Sequence, residues 1–251
     1  MTLLEGRNVT KNFDGLVAVD HVNFEIERGK IYSLIGPNGA GKTTLFNLVT
    51  GYFELTEGSI GFQNEDITGL DPSEVNRRGI ARTFQLVQPF EGMTVYDNVK
   101  VGALFGGNES RDVETATEEA LKLTHLWDRR DEKSQGLPIA GTKLLEIAKA
   151  IATGPELLLV DEPAAGLNAT ETDQVLDILR ELVDSGMTIW LVEHDMDAVM
   201  DVSDRVFVLD AGQLIASGAP EKITNDERVI EAYLGTDFEE DESTEMSGGE
   251  A

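Results

Sequence analysis

One glycine-rich segment of the sequence has a composition suited to binding phosphate groups. It reads Gly36-Pro37-Asn38-Gly39-Ala40-Gly41-Lys42-Thr43 and directly follows the apolar run Ile31–Ile35. Its glycines let successive backbone N–H groups turn toward an anion, Lys42 adds a positive charge, and the Thr43 hydroxyl can ligate Mg²⁺. A helix beginning at Lys42 would add the favourable field of its N-terminus. The strand–loop–helix setting predicts a site for the β- and γ-phosphates of a nucleotide.

A second pattern places two carboxylates at the end of an apolar run. Asp161 and Glu162 follow Leu157–Val160. Ligands of parallel sheets bind at the carboxyl ends of the strands. Two acids at a strand end can also simply face solvent. In a chain with a phosphate loop, we interpret Asp161 as orienting Mg²⁺, usually through water, and Glu162 as polarising the attacking water.

The elements around these motifs predict an α/β fold. The region Leu3–Lys11, the alternating stretch Val22–Glu27 and the run Ile31–Ile35 suggest an antiparallel β layer at the start of the chain. After residue 157, strands and helices alternate, which is typical of a mostly parallel sheet flanked by helices. The remaining helices are expected over Lys42 to about Thr50, Val95–Leu104, Val113–Trp127 and about Thr142–Ala152, and a short strand over Ile80–Phe84.

Composition limits the functions that the chain can have. It lacks cysteine, which rules out disulfides, thiolate metal sites and cysteine nucleophiles. Its apolar runs are far shorter than a bilayer span, so we expect a cytoplasmic protein. The formal net charge is −27, and about −20 without the seven acids of residues 236–251. Such a surface repels nucleic acid and anionic lipid and disfavours binding to either. Attachment to a membrane would therefore need a protein partner. The charge suggests a halophile with molar salt in its cytoplasm, or else a merely acidic mesophile protein.

Taken together, these motifs resemble the ATPases of ABC transporters, a family of phosphate-loop NTPases, over nearly all of Leu3–Gly235. The resemblance implies an ATPase domain over 1–235, a helical subdomain at about 86–150 and a disordered acidic tail over 236–251. Within the family the chain is most similar to the ATP-binding subunits of branched-chain amino acid importers. The stretches that carry this similarity are Phe13–Val19, Thr43–Leu48, Gly79–Gln85, Glu162–Asn168 and Val229–Gly235. The branch also includes urea and amide importers and an ATPase of lipopolysaccharide export.

The resemblance implies further site residues. Gln85, at the junction to the helical subdomain, would contact Mg²⁺ and water, and His194, after a later strand, would contact the γ-phosphate. Phe13 would stack on adenine, and the rival interpretation is that it is an ordinary hairpin core residue. The nucleotide contacts predicted for this chain are Phe13, Gly36, Pro37, Asn38, Gly39, Ala40, Gly41, Lys42, Thr43 and Thr44, with Leu137, Pro138, Ala140 and Gly141 from a signature sequence.

The signature sequence is where the chain departs from the family pattern. The usual Leu-Ser-Gly-Gly-Gln is replaced by Leu137-Pro138-Ile139-Ala140-Gly141. Pro138 has neither a hydroxyl nor a backbone N–H to donate. Ala140 and Gly141 could still offer backbone N–H groups at the start of a helix. The competence of the site formed with this signature is therefore in question.

The family likeness also implies partners. A cassette with one phosphate loop forms a homo- or heterodimer with ATP between the phosphate loop of one partner and the signature of the other. An unequal pair would explain a weakened signature. Two permease subunits, and indirectly an extracytoplasmic solute-binding protein, complete an importer at the cytoplasmic face of the membrane. Within Leu86–Phe90, the residues Leu86, Val87, Pro89 and Phe90 form an apolar patch that would suit a permease helix, and an equally good interpretation is that they belong to the core. The alternatives are a non-transport ABC ATPase, and a regulatory module that barely hydrolyses ATP.

Overall fold

Ten strands form two sheets in the computed structural model, which describes residues 1–84, 89–106 and 111–233. The strands are β1 (Thr2–Phe13), β2 (Leu16–Glu27), β3 (Ile31–Ile35), β4 (Glu57–Phe62), β5 (Glu65–Asp66), β6 (Ile80–Arg82), β7 (Leu157–Asp161), β8 (Thr188–Val192), β9 (Arg205–Asp210) and β10 (Gln213–Gly218). Their order is β2-β1-β4-β5 in one sheet and β10-β9-β3-β8-β7-β6 in the other.

The first sheet is the antiparallel layer expected at the start of the chain, but β3 is not part of it. β3 instead pairs in parallel with β8 and β9 in the second sheet, so its predicted place was wrong. The burial patterns explain the difference. The second half of β2 alternates between buried and exposed residues, whereas all five residues of β3 are buried. A strand covered on both faces is typical of a parallel core sheet.

The second sheet positions the site. Strands β9, β3, β8, β7 and β6 run parallel, and β10 closes one edge antiparallel to β9. Strand β8 lies between β3 and β7. The loops that follow these three neighbours therefore meet at one edge, where parallel sheets bind their ligands.

Some of the helices pack against the sheets, and some also pack against one another as a helical layer. The helices are α1 (Lys42–Val49), α2 (Pro72–Arg77), α3 (Val95–Phe105), α4 (Val113–Leu123), α5 (Ile139–Ala152), α6 (Ala169–Asp184), α7 (Met196–Val202) and α8 (Pro220–Ile223). Residues 227–233 are also helical. Helices α3, α4 and α5 pack against one another through apolar side chains such as Val99, Leu121 and Leu145.

Three predicted boundaries were wrong. Helix α4 ends at Leu123 rather than Trp127, because His125 takes a left-handed backbone conformation (φ +56°) that stops it. Helix α5 begins at Ile139, three residues before the predicted Thr142, because the fixed φ of Pro138 suits the cap position. Strand β6 ends at Arg82, before Phe84.

In the described ranges, none of the helices combines the length and apolarity needed to span a bilayer. Gln85, Leu86 and Val87 lie outside the described residues, as does the acidic tail 236–251. The predictions made for them remain predictions.

Candidate nucleotide-binding site

The loop between β3 and α1 has a backbone that only glycine can adopt at two of its positions. Gly36 and Gly41 have φ angles of +148° and +103°. A Cβ atom on Gly36 would lie 1.9 Å from the carbonyl oxygen of Leu209, and one on Gly41 would lie 2.3 Å from that of Ala18. Both positions are too close for any side chain. The loop therefore owes its path to contacts with β9 and β2 as well as to its own sequence.

Lys42 is held inside this loop. Its ammonium donates hydrogen bonds to the carbonyl oxygens of Gly36 (2.6 Å) and Pro37 (2.9 Å), and the residue is buried. Burial lowers the pKa of Lys42, and the nearby carboxylates of Glu162 and Asp161 partly oppose that shift. The loop thus surrounds a desolvated cation, which suits an anionic phosphate group.

The other loop residues differ in their exposure to solvent. Asn38 and Gly39 lie at the exposed tip, while Ala40 is buried. Thr43 and Thr44 lie in the first turn of α1, and Thr43 is exposed. The Thr43 hydroxyl is therefore accessible to a ligand at the helix N-terminus.

The acidic pair divides into a buried and a more open carboxylate. Asp161, at the end of β7, forms an ion pair with Arg82 over 2.8 Å in a fully buried setting. Glu162 follows with a left-handed backbone (φ +48°), a conformation that is uncommon for residues other than glycine and is found at functional sites. Its carbonyl oxygen accepts a hydrogen bond from the Lys143 ammonium at 2.9 Å.

His194 approaches Glu162 from the neighbouring strand. Its Nε2 lies 2.7 Å from Glu162 Oε1, so the imidazole N–H donates to the carboxylate. The buried carboxylate of Glu193 orients the turn, since it accepts the backbone N–H groups of Ala164 (2.8 Å) and His194 (2.9 Å). The pair predicted from two separate motifs is thus in direct contact.

The remaining predicted contacts that the structure describes lie at the end of β1 and at the start of α5. Phe13 is partly exposed and forms an edge-on contact with Phe53, with the Lys11 ammonium 4.9 Å from the Phe13 ring. In the signature, Leu137 is half-buried, Pro138 is exposed, and Ala140 and Gly141 are buried in the first turn of α5. Gln85 cannot be placed, because it lies outside the described residues.

The donor set fits Mg²⁺ better than it fits a metal caged by protein. Nowhere in 1–84, 89–106 or 111–233 do three or more His, Cys, Asp or Glu side chains cluster as metal ligands. Mg²⁺ is commonly held by one or two carboxylates together with water and substrate phosphates. The carboxylate of Asp161 and the hydroxyl of Thr43 have the hard oxygen donors for that arrangement.

Sequence reasoning missed several residues that hold the site together. The sequence patterns place Arg82 only within a family-like stretch, and they give Lys143 no role. Tyr233 was also missed: burial raises the pKa of its phenol, and a hydrogen bond with the Gly36 backbone partly offsets that shift. An arginine beside apolar residues in the predicted short strand Ile80–Phe84 was a usable signal for Arg82. The other two contacts join distant segments and had no local signal.

A phosphate loop, an acidic pair and a histidine on adjacent parallel strands define a phosphate-loop ATPase. Residues 19–165 match the family model described as ABC transporter, and residues 213–239 match one described as branched-chain amino acid ATP-binding cassette transporter. The chain therefore belongs to the ABC transporter family, as one of its ATP-binding cassettes.

Individual relatives agree with this assignment. The chain is 39% identical to the probable branched-chain amino acid transport ATP-binding protein LivG of Archaeoglobus fulgidus, over 94% of this chain and 96% of that protein. It is 40% identical to the high-affinity branched-chain amino acid transport ATP-binding protein LivG of Escherichia coli K12, over 93% and 98%. A crystal structure of an ABC transporter cassette in its ADP conformation has a TM-score of 0.86 and 33% identity, over 94% of this chain and 99% of that one.

Proposed function

We propose that this cassette hydrolyses ATP to power an importer of branched-chain or related amino acids. The contact between Glu162 and His194 beside the phosphate loop carries the hydrolytic part of the proposal. The transported class rests on the two LivG relatives and on the second family match at residues 213–239. The branches that handle urea, amides or lipid export remain alternatives for the substrate. We assign the ATPase domain to residues 1–235, with its helical subdomain at about 86–150.

We propose the following roles for the site residues. The backbone N–H groups of the loop and the Lys42 ammonium bind the β- and γ-phosphates. Glu162 accepts a proton from the attacking water, and His194 orients the Glu162 carboxylate and contacts the γ-phosphate. Mg²⁺, held by Asp161, Thr43 and Gln85, would supply charge neutralisation at the phosphates. Phe13 would stack on the adenine.

The signature suits a role in a second subunit's site. The start of α5 exposes Pro138 and Ile139 and leaves the backbone N–H groups of its first turn without helical partners. An ATP phosphate bound to a second cassette would accept hydrogen bonds from those groups. The loss of the usual serine hydroxyl favours an unequal pair, in which the other cassette supplies the stronger signature.

An apolar groove supports the permease partner. It has a volume of about 460 Å³, and its lining includes Tyr52, Val75, Phe84 and Phe105. Three of these side chains are aromatic and more than a third exposed, as for a surface that packs against another protein. The groove borders the segment that leads into Gln85, so a permease helix seated there would lie beside the nucleotide site. The cassette would thereby be held at the cytoplasmic face of the membrane.

The partners can be identified by a native pull-down. Tagged Glu162→Gln protein would be purified with Mg·ATP in molar KCl, because a net charge of −27 suits a salt-rich cytoplasm. Recovery of two hydrophobic permeases and a second cassette is the expected result. Recovery of soluble partners alone would contradict the transporter proposal and favour a non-transport ATPase.

Lys143 is expected to affect hydrolysis without affecting ATP binding. Its bond to the Glu162 carbonyl stabilises the left-handed backbone that aims the carboxylate. Losing this bond in Lys143→Met should lower kcat about tenfold, the equivalent of one hydrogen bond of about 1.4 kcal/mol. Steady-state kinetics and a nucleotide-binding titration measure the two effects separately.

A control on the same helix separates this effect from a general loss of stability. Lys149 lies six residues further along α5 and pairs with Glu146 at 2.7 Å. Lys149→Met should therefore keep the kcat of the unmodified protein. Equal kcat values for the two variants would contradict the positioning role of Lys143.

A further inference from the structure

Arg82 is a buried cation whose position in the fold is not explained by stability alone. Its side chain is 5% exposed and that of its partner Asp161 is 6% exposed, with 2.8 Å between Nη2 and Oδ2. Buried ion pairs contribute little to stability, since apolar replacements of similar volume are often neutral or favourable. A buried pair that includes the proposed metal ligand therefore points to a role in the site.

The guanidinium joins three segments around the nucleotide site. Besides Asp161 on β7, it donates to the Asn47 side-chain oxygen on α1 at 2.5 Å. Its central carbon lies 5.5 Å from the Phe46 ring centre and 5.3 Å from that of Phe84. Arg82 thus contacts the helix after the phosphate loop, the strand with the acidic pair and the segment leading to Gln85.

The same residue also reaches the apolar groove. Arg82 and Phe84 both line it, and Phe84 contacts Tyr52 edge-on with 5.7 Å between ring centres. A body that pushes on Phe84 from the groove would therefore act on the guanidinium directly. The same guanidinium donates through Nη2 to the carboxylate of Asp161.

We propose that Arg82 is an internal counter-ion that occupies Asp161 when no metal is bound and links metal binding to the groove. This rests on the proposed function, because it takes Asp161 as the Mg²⁺ ligand and the groove as the permease site. A guanidinium on Oδ2 neutralises the carboxylate and repels a second cation. Free Mg²⁺ therefore binds poorly, whereas Mg·ATP brings the negative charge that allows the metal to enter. Arg82 must then shift relative to Asp161, and Phe84 carries that shift to the groove.

The test measures metal binding by the nucleotide-free cassette, so it requires neither hydrolysis nor a permease. Melting temperatures are taken with and without Mg²⁺ at constant ionic strength. The unmodified protein should show no response. Arg82→Met leaves Asp161 without its cation, so saturating Mg²⁺ should raise the melting temperature by about 5 °C. The matched control is Arg77→Met, which removes the same charge from an exposed position in the same groove.

One further variant and one further measurement keep the test decisive if Arg82→Met is unstable. The double variant Arg82→Met with Asp161→Asn removes both charges, and should fold but not respond to Mg²⁺. If the single variant Arg82→Met does not fold without metal, refolding it in the presence of Mg²⁺ should restore the folded protein. An Mg²⁺ response of Arg82→Met no larger than that of Arg77→Met would overturn the proposal. So would a single variant that Mg²⁺ cannot recover while the double variant folds.

Two substitutions in the groove test the link between Arg82 and the groove. Phe84→Ala removes a ring against the guanidinium and should make the melting temperature partly sensitive to Mg²⁺. Phe105→Ala removes a ring from the same groove, but that side chain is 77% exposed. This variant should not make the melting temperature sensitive to Mg²⁺. Identical behaviour of these two variants would refute the link. A failed pull-down with an intact Mg²⁺ response would instead count only against the transporter function.

Discussion

Replacing Glu162 with Gln is expected to lower kcat by roughly 100- to 10,000-fold, the usual contribution of a general base. The amide has the shape of the carboxylate, and its oxygen can still accept the His194 Nε2–H that now lies 2.7 Å from Oε1. The Lys143 bond to the backbone carbonyl is also unaffected. The geometry should therefore persist while the group that takes the proton is lost. Phosphate release in molar salt and an ATP-binding titration measure the two properties.

A second Glu–His pair in the chain provides the control. Glu181 Oε2 lies 3.0 Å from His125 Nε2, on an exposed surface of α6. Glu181→Gln makes the same chemical change in a similar contact, and should leave kcat unchanged. If Glu162→Gln turned over ATP within a few-fold of the rate of this control, Glu162 would not be the base.

Replacing Lys42 with Met should abolish most nucleotide binding and leave the fold intact. Loss of a charge-assisted contact with the phosphates should weaken ATP binding on the order of 100-fold. Saturating ATP, which should raise the melting temperature of the unmodified protein by about 5–10 °C, would then give almost no shift. Differential scanning calorimetry with and without ATP measures this directly.

In the absence of ATP, the Lys42→Met variant should be nearly as stable as the unmodified protein. Because the pKa of Lys42 is lowered by burial, its ammonium costs folding free energy at every pH below that lowered pKa. The cost disappears as the pH rises toward the pKa of an exposed lysine. Lys42→Met removes this cost at neutral pH and also removes two hydrogen bonds to loop carbonyls. The two changes oppose each other, so the melting temperature should stay within about 3 °C.

An exposed lysine serves as the reference for this experiment. Lys122 pairs with Glu118 on the surface of α4, far along the chain from the phosphate loop. Lys122→Met should keep the full response to ATP. A normal ATP-induced shift in Lys42→Met would show that the ammonium does not bind the phosphates.

The sequence by itself determined the local parts of the site. The phosphate loop could be recognised because its glycines, lysine and threonine are contiguous and must be so to wrap one anion. The acidic pair was recognisable for the same reason, as two adjacent residues at the end of an apolar strand. Family likeness added His194, which the structure brings to within 2.7 Å of Glu162.

Only the tertiary structure decided what holds these parts in place. The assignment of β3 to the core sheet depends on its pairing with β8 and β9, which lie more than 150 residues away in the chain. The bonds of Arg82 to Asp161 and of Lys143 to Glu162 span 79 and 19 residues. A hydrogen bond or ion pair depends on distance in space, and the spacing of residues along the chain carries no record of it. The candidate site could therefore be located from sequence, whereas the charged side chains that contact it from distant segments could not.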